Sequence, residues 1–136
     1  MSSEGNVELI RRGHDAFTRG DLAAVQSVVA DDVDWGTSGG FSGLDESYRG
    51  PKAMERWMEA VRSAWETFEV AIDEVVRDAG EVLVVKEHLW GRGRGSGAET
   101  EMQIFSVYWF DGGQIAKRRV FDSREEALDA AGSGND

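Results

Sequence analysis

Residues 81–121 read EVLVVKEHLWGRGRGSGAETEMQIFSVYWFDGGQIAKRRVF. Three strand-like runs are visible there, Glu81–Arg92, Glu99–Phe110 and Gln114–Phe121, each rich in β-branched and aromatic residues. Asp111-Gly112-Gly113 is a tight turn of the kind that closes hairpins. Asp78-Ala79-Gly80 is another, and it joins a fourth run, Phe68–Arg77, to the same antiparallel sheet.

Upstream, the spacing of apolar residues becomes helical. Val7, Ile10, His14 and Phe17 form one stripe that Arg19-Gly20 closes. Asp21 caps a second helix through Leu22, Val25, Val28 and Val29, ended by Ala30-Asp31-Asp32. A short strand, Val33–Thr37, places Val33, Trp35 and Thr37 on one face and Asp34 on the other. Residues 38–50 are Gly/Ser-rich and read as a loop. Gly50-Pro51 opens a third helix with Met54, Trp57, Met58, Val61 and Trp65 on one face, a stripe suited to plain core packing or to a cavity wall. Ser123-Arg124-Glu125-Glu126 has the spacing of a capping box and starts a short terminal helix through Leu128. The expected fold is α+β: three N-terminal helices packed on a strongly curved, mostly antiparallel sheet, one domain over 1–136 with its core at 7–131 and frayed ends.

Composition narrows the function. A net charge of −11 repels phosphate backbones and anionic lipid surfaces, so neither nucleic acid nor membrane is an expected partner. No run approaches the roughly 18 apolar residues of a membrane span. Met1–Asn6 lack the basic start and apolar core of a signal peptide, and a cytoplasmic location is expected. With no Cys there is no disulfide, thiolate nucleophile or zinc-thiolate site. With two His, at 14 and 88, and no close acidic pattern, neither a metal site nor a cofactor is expected.

The order of elements, with AFTRGDLAAVQSVVADDVDW (16–35), YRGPKAM (48–54) and WFDGGQIAKRRVFDSREEAL (109–128), resembles the SnoaL-like branch of the nuclear-transport-factor-two-like, cone-shaped superfamily. The resemblance spans about Val7 to Ala131. It implies a pocket between helices and sheet for a small hydrophobic molecule, and a homodimer through the outer sheet face. Relatives include ketosteroid isomerases, polyketide cyclases, limonene epoxide hydrolases, dehydratases and non-catalytic binding domains, so the fold alone picks no reaction. Where a ketosteroid isomerase holds its base this chain has Thr37, and its oxyanion donors fall on Gly13 and Ser106. Classical isomerase chemistry is therefore disfavoured. Polyketide cyclases use a carboxylate base, which requires an acid raised toward neutral pKa by an apolar pocket. Of the epoxide hydrolases' Asp–Arg–Asp set, Arg118, Arg119 and Asp122 lie on or just after the last strand, without a second Asp on the middle strands.

The register of the 81–110 hairpin decides which charges face inward. A two-residue turn at Gly95-Ser96 pairs Arg94 with Gly97 and groups Leu83, Val85, Glu87 and Leu89 with Met102, Ile104, Ser106 and Tyr108 on the cavity face. A three-residue loop turns Lys86 and His88 inward instead. The first register gathers more aliphatic residues and leaves Phe105, Val107 and Trp109 for a dimer face. Glu87 is then the leading pocket acid, against a solvated or interface charge. Tyr108 is a carbonyl donor or a satisfied core Tyr; His14 is an acid/base group or a packing His. The Gly/Arg-rich tip, 91–97, reads as a twisted hairpin end, its arginines free to meet a partner subunit.

Two functions follow. One is acid/base catalysis, of isomerase, cyclase or hydrolase type, on an apolar metabolite: Glu87, His14 and Tyr108 catalytic, with Phe17, Trp35, Trp57, Met58, Val61, Ser106 and Arg118 lining the ligand site. The other is a non-catalytic dimeric binding or assembly domain. An interior packed shut by Trp35, Trp57 and Trp65 argues against the enzyme.

Overall fold

The computed structural model of the chain describes residues 3–37 and 47–133. In chain order it contains α1 (Ser3–Arg19), α2 (Leu22–Ser27), β1 (Val29–Gly36), β2 (Ser47–Arg49) and α3 (Ala53–Ala64). Then come β3 (Trp65–Asp78), β4 (Val82–Gly93), β5 (Glu99–Asp111), β6 (Gln114–Phe121) and α4 (Arg124–Ser133). The strands form one curved, open sheet in the order β2-β1-β6-β5-β4-β3. All neighbours are antiparallel except β1 and β6, so the sheet is mixed. The α+β reading holds, with four helices among the described residues, the last of them the expected terminal helix. Part of the expected loop, Ser47–Arg49, is a strand on β1; residues 38–46 lie outside the described residues.

Three boundaries differ from the sequence reading, each for a local reason. α2 stops at Ser27 and β1 begins at Val29, because β-branched Val29 suits extended chain and the Ile115 N–H binds the Val28 carbonyl at 2.9 Å. α3 starts at Ala53 and not at Pro51: Gly50, at φ +88°, makes a turn whose carbonyl accepts from the Ala53 N–H. Trp65 leaves the helix for β3. Arg94, at the β4–β5 tip, gives its backbone N–H to the Ala64 carbonyl and its guanidinium to the carbonyls of Arg62 and Trp65. A cation on the orphan carbonyls of a helix C-terminus fixes where that helix ends. The Gly/Arg-rich tip thus holds its own chain.

The β4–β5 register is the one that the sequence favoured, with Leu83↔Tyr108, Val85↔Ser106, Glu87↔Ile104 and Leu89↔Met102. The tip closes by a Gly97 N–H to Gly93 carbonyl bond, a wider turn than Gly95-Ser96 alone, yet the same residues meet. The inner face packs Leu83, Val85, Leu89, Ile104 and Tyr108 against Ile10, Trp57 and Met58 of the helices. The outer face carries a second cluster. Ala127 and Ala131 of α4 cover Val82, Val84 and Val107. Val107, expected on an exposed dimer face, is therefore 0% exposed, while Phe105 and Trp109 stay half-buried. The capping box starts α4: Ser123 Oγ accepts from the Glu126 N–H and donates to Glu126 Oε1, both at 3.1 Å.

One irregularity aims a functional side chain. From the Gly112-Gly113 turn, Asp111 pairs with Gln114 and Phe110 with Ile115, but Trp109 pairs with Lys117 and Tyr108 with Arg118. Ala116 is the extra residue of a β-bulge. In a regular ladder that kept Ala116 opposite Trp109, Tyr108 would face Lys117, and Arg118 would point away from the core. Arg118→Leu, which leaves that inward position without its cation, is expected to cost about 3–5 kcal/mol, the penalty for stranding the buried Glu87 charge. Urea unfolding measures it, and an unchanged midpoint would refute the buried Arg118–Glu87 pair.

Candidate functional site

Beneath the helices, the inner face of the sheet carries a polar cluster in an otherwise apolar core. Glu87 of β4 is its centre and is 0% exposed. Its Oε1 accepts from Ser106 Oγ at 2.5 Å and from Arg118 Nη2 at 3.0 Å. Its Oε2 accepts from Tyr108 Oη at 2.6 Å and lies 3.1 Å from His14 Nε2. Arg118 also donates to the Tyr108 hydroxyl at 3.2 Å and to the Gly36 carbonyl at 2.8 Å. Its guanidinium sits 4.8 Å from the Trp35 ring centre, a cation over an aromatic face.

Strand alternation puts Glu87, Ser106 and Tyr108 on the inner face; the Ala116 bulge adds Arg118. α1 lays His14 over them from the stripe that also carries Ile10 and Phe17. Gly36 cannot be larger, since a Cβ there would stand 2.6 Å from the Arg118 carbonyl oxygen.

The electrostatics divide the roles. Burial pushes the Glu87 carboxyl up, but the Arg118 guanidinium, with the contacts to His14 and Ser106, holds it well below the usual glutamate range. It is ionised, not the raised-pKa acid that cyclase-type chemistry calls for. Four partners occupy its two oxygens, so it is poorly placed to take a proton from a ligand. Burial and the Glu87 charge push the Tyr108 phenol well above 10, so it stays a neutral donor. An ionised Glu87 accepts from Nε2–H of His14, and in the neutral form of that ring Nδ1 is the nitrogen with a free lone pair. Among the described residues Nδ1 has no hydrogen-bond partner. The structure therefore joins in one hydrogen-bonded cluster five residues that the sequence assigned to one site without their mutual contacts. It makes Glu87 a saturated anchor and leaves His14 as the member of the cluster that reaches it from a helix. Sequence reasoning missed the Gly36 carbonyl and the Arg118–Trp35 stack; only the strand pairing signals them.

The ligand-lining residues separate into two places. His14, Phe17, Trp35, Trp57 and Tyr108 surround an inner cavity of about 20 Å³, room for one water and not for a metabolite. Met58 and Val61, with Trp65 and Phe68, line an open groove of about 570 Å³ between α1, α3 and β3. Trp35 and Trp57, with ring centres 5.0 Å apart, fill the interior much as the argument against an enzyme required. Trp65 closes no cavity; it packs against Gly91, where a Cβ would come within 2.8 Å of its ring. Thr37 is buried at the end of β1. Asp34 faces outward to Arg119 and Arg49, at 2.5 Å and 3.2 Å, which removes Arg119 from any inner site.

The SnoaL-like domain model matches residues 10–118. Comparison with curated proteins gave no match. Among solved structures, an NTF2-like protein of unknown function from Burkholderia pseudomallei is 24% identical, with a TM-score of 0.76 over 96% of this chain and 98% of that one. A hypothetical protein with a ketosteroid isomerase-like fold from Catenulispora acidiphila, in complex with trimethylamine, is 17% identical, with a TM-score of 0.72 over 92% of each. TerC, co-crystallised with polyporic acid, is 16% identical, with a TM-score of 0.74 over 93% of this chain and 97% of that one. At these identities the likeness is one of fold.

The anchor can be tested through pH. A carboxyl whose folded pKa is depressed adds stability above its ordinary value, 4.5, and loses it as pH falls toward the folded value. Glu87→Gln is expected to cost about 3–5 kcal/mol at pH 7, and the gap to wild type is expected to narrow steadily below pH 4.5. Urea unfolding at a series of pH values measures both; a gap independent of pH would refute an ionised Glu87.

Proposed function

The chain belongs to the SnoaL-like domain family, and from that premise we propose that it binds a small apolar molecule between helices and sheet and that His14 exchanges a proton with it. One observation carries this: His14 borders the inner cavity with Nε2 held by a buried, ionised Glu87 and Nδ1 unpartnered among the described residues. A carboxylate, a guanidinium, a phenol and a hydroxyl inside an apolar core are a costly way to fill space, since apolar residues of similar volume often stabilise as well or better. Such a cluster beside a cavity favours a site over packing. The chemistry is of isomerase, cyclase or hydrolase type: Nδ1 takes a proton from the ligand, or from a water attacking it, and returns it. Tyr108 and Arg118 supply positive potential from below. TerC, the structural neighbour co-crystallised with polyporic acid, supports a small-molecule ligand in this fold.

A second reading, a binding domain without catalysis, is favoured by the inner cavity of about 20 Å³. A thermal-shift screen with sterols, terpenoids and aromatic polyketide-like compounds identifies the ligand; at 100 times its dissociation constant it adds ~2.7 kcal/mol. With that ligand, His14→Asn is expected to lower kcat by about 10²–10⁴-fold. Wild-type protein that binds without turnover supports the second reading, and full turnover by His14→Asn sinks the first.

The dimer belongs to this proposal too, with Phe105 and Trp109 as its apolar contacts once α4 has covered Val107. Trp109→Glu is then expected to give a monomer by light scattering, and an unchanged dimer counts against that face.

A further inference from the structure

The groove and the inner cavity share one lining residue among those described, Phe17. Its ring stacks on Trp57 with centres 4.4 Å apart and planes 18° apart, and meets Phe68 edge-on at 5.6 Å. On one side of that ring lies a space of about 570 Å³, within the usual range for small-molecule sites. On the other lies room for a single water beside His14. Phe17 sits in the last turn of α1, three residues before Gly20, whose φ of +72° marks the joint to α2. Across the groove, α3 is pinned at its C-terminus by Arg94. The main chain at Phe17 is held as well, its carbonyl accepting from the Gly20 N–H at 3.0 Å, so opening is a swing of the Phe17 ring.

We propose that this groove is the entrance and outer chamber of the ligand site, that Phe17 is its gate, and that the ligand is a flat, neutral aromatic molecule. The ligand class follows from what opening exposes. When the Phe17 ring swings away, the face of Trp57 loses its stacking partner, and a flat aromatic ring restores that contact while an aliphatic chain does not. Met58 and Val61 give the far wall an adaptable apolar surface. The charges at the rim balance, Arg19 and Arg62 against Glu66 and Glu69, and the field of the whole chain is strongly acidic. An anion is repelled by that field and a cation has no unbalanced acid to meet, so a neutral ligand fits best.

The proposal deepens the reading of His14 as the working group, but its test does not depend on turnover. Diethyl pyrocarbonate labels accessible imidazoles, and peptide mass spectrometry separates His14 from His88, which lies on the outer face and serves as internal reference. In Phe17→Ala, His14 is expected to label roughly tenfold faster relative to His88, the rise in open population that follows loss of a packed aromatic pair. The neutral aromatic probe N-phenyl-1-naphthylamine is expected to slow that labelling and to bind Phe17→Ala more tightly than wild type. Three results would overturn the gate: a His14 rate unchanged in folded Phe17→Ala, an equal acceleration of His14 and His88, or labelling that the probe does not slow. Should Phe17→Ala fail to fold, Phe17→Leu keeps the bulk without the stack and is judged by the same ratio. A His14 that labels as expected but proves dispensable for turnover would overturn proton transfer and leave the gate standing.

Discussion

The buried pair of Arg118 and Glu87 is the constraint around which the inner face is arranged. Each charge is almost fully withdrawn from water, at 5% and 0% exposure, and removing either alone strands the other. The remaining neighbours are there to complete the solvation that water no longer provides. Ser106 and Tyr108 fill the carboxylate's lone pairs, and the Gly36 carbonyl and the Trp35 face take up the guanidinium. Because β1, β4, β5 and β6 all contribute, the cluster links four strands across the middle of the sheet. The desolvation cost is several kcal/mol per ion, and it is met by geometry that leaves neither charge short of partners. His14 is the one member that links this network to a helix.

Division of labour follows from that saturation. A carboxylate with four partners is a fixed negative charge, useful for orienting a neighbour and poor at accepting a further proton. The imidazole beside it keeps one nitrogen tied and one without a partner among the described residues. Tyr108, held neutral, and Arg118, held charged, set a positive potential on the same side. In the function proposed above, that arrangement is what lets His14 exchange a proton.

The aromatic residues above the cluster settle a different question. Phe17, Trp35 and Trp57 pack well enough to leave space for little more than a water, and that packing helps to stabilise the fold. Access to His14 is then a matter of displacing rings, not of entering a standing void. On the opposite face α4 covers Val107 with two alanines, small enough to let the helix approach closely. The outer surface is thereby less apolar than its strand alternation suggested.

The sequence by itself determined the layered α+β fold and the four long hairpin strands, because alternation, Gly-containing turns and helical stripes are local and leave their period in the chain; between the two inward sets of β4 it only favoured the one observed, and the pairing decided it. It also determined that Asp34 turns away from Trp35. It named Glu87, His14, Tyr108, Ser106 and Arg118, but not as one cluster. Their convergence depends on pairings between distant segments and on a bulge at Ala116 that reverses which residues of β6 face inward. No local pattern marks that extra residue. The charge state of Glu87 was likewise decided only by the tertiary structure. Burial alone would have raised its pKa, and a guanidinium thirty-one positions away in the chain reverses the sign. Whether the cone is open or shut is equally a matter of how rings from α1, β1 and α3 meet, which no single segment of the chain encodes.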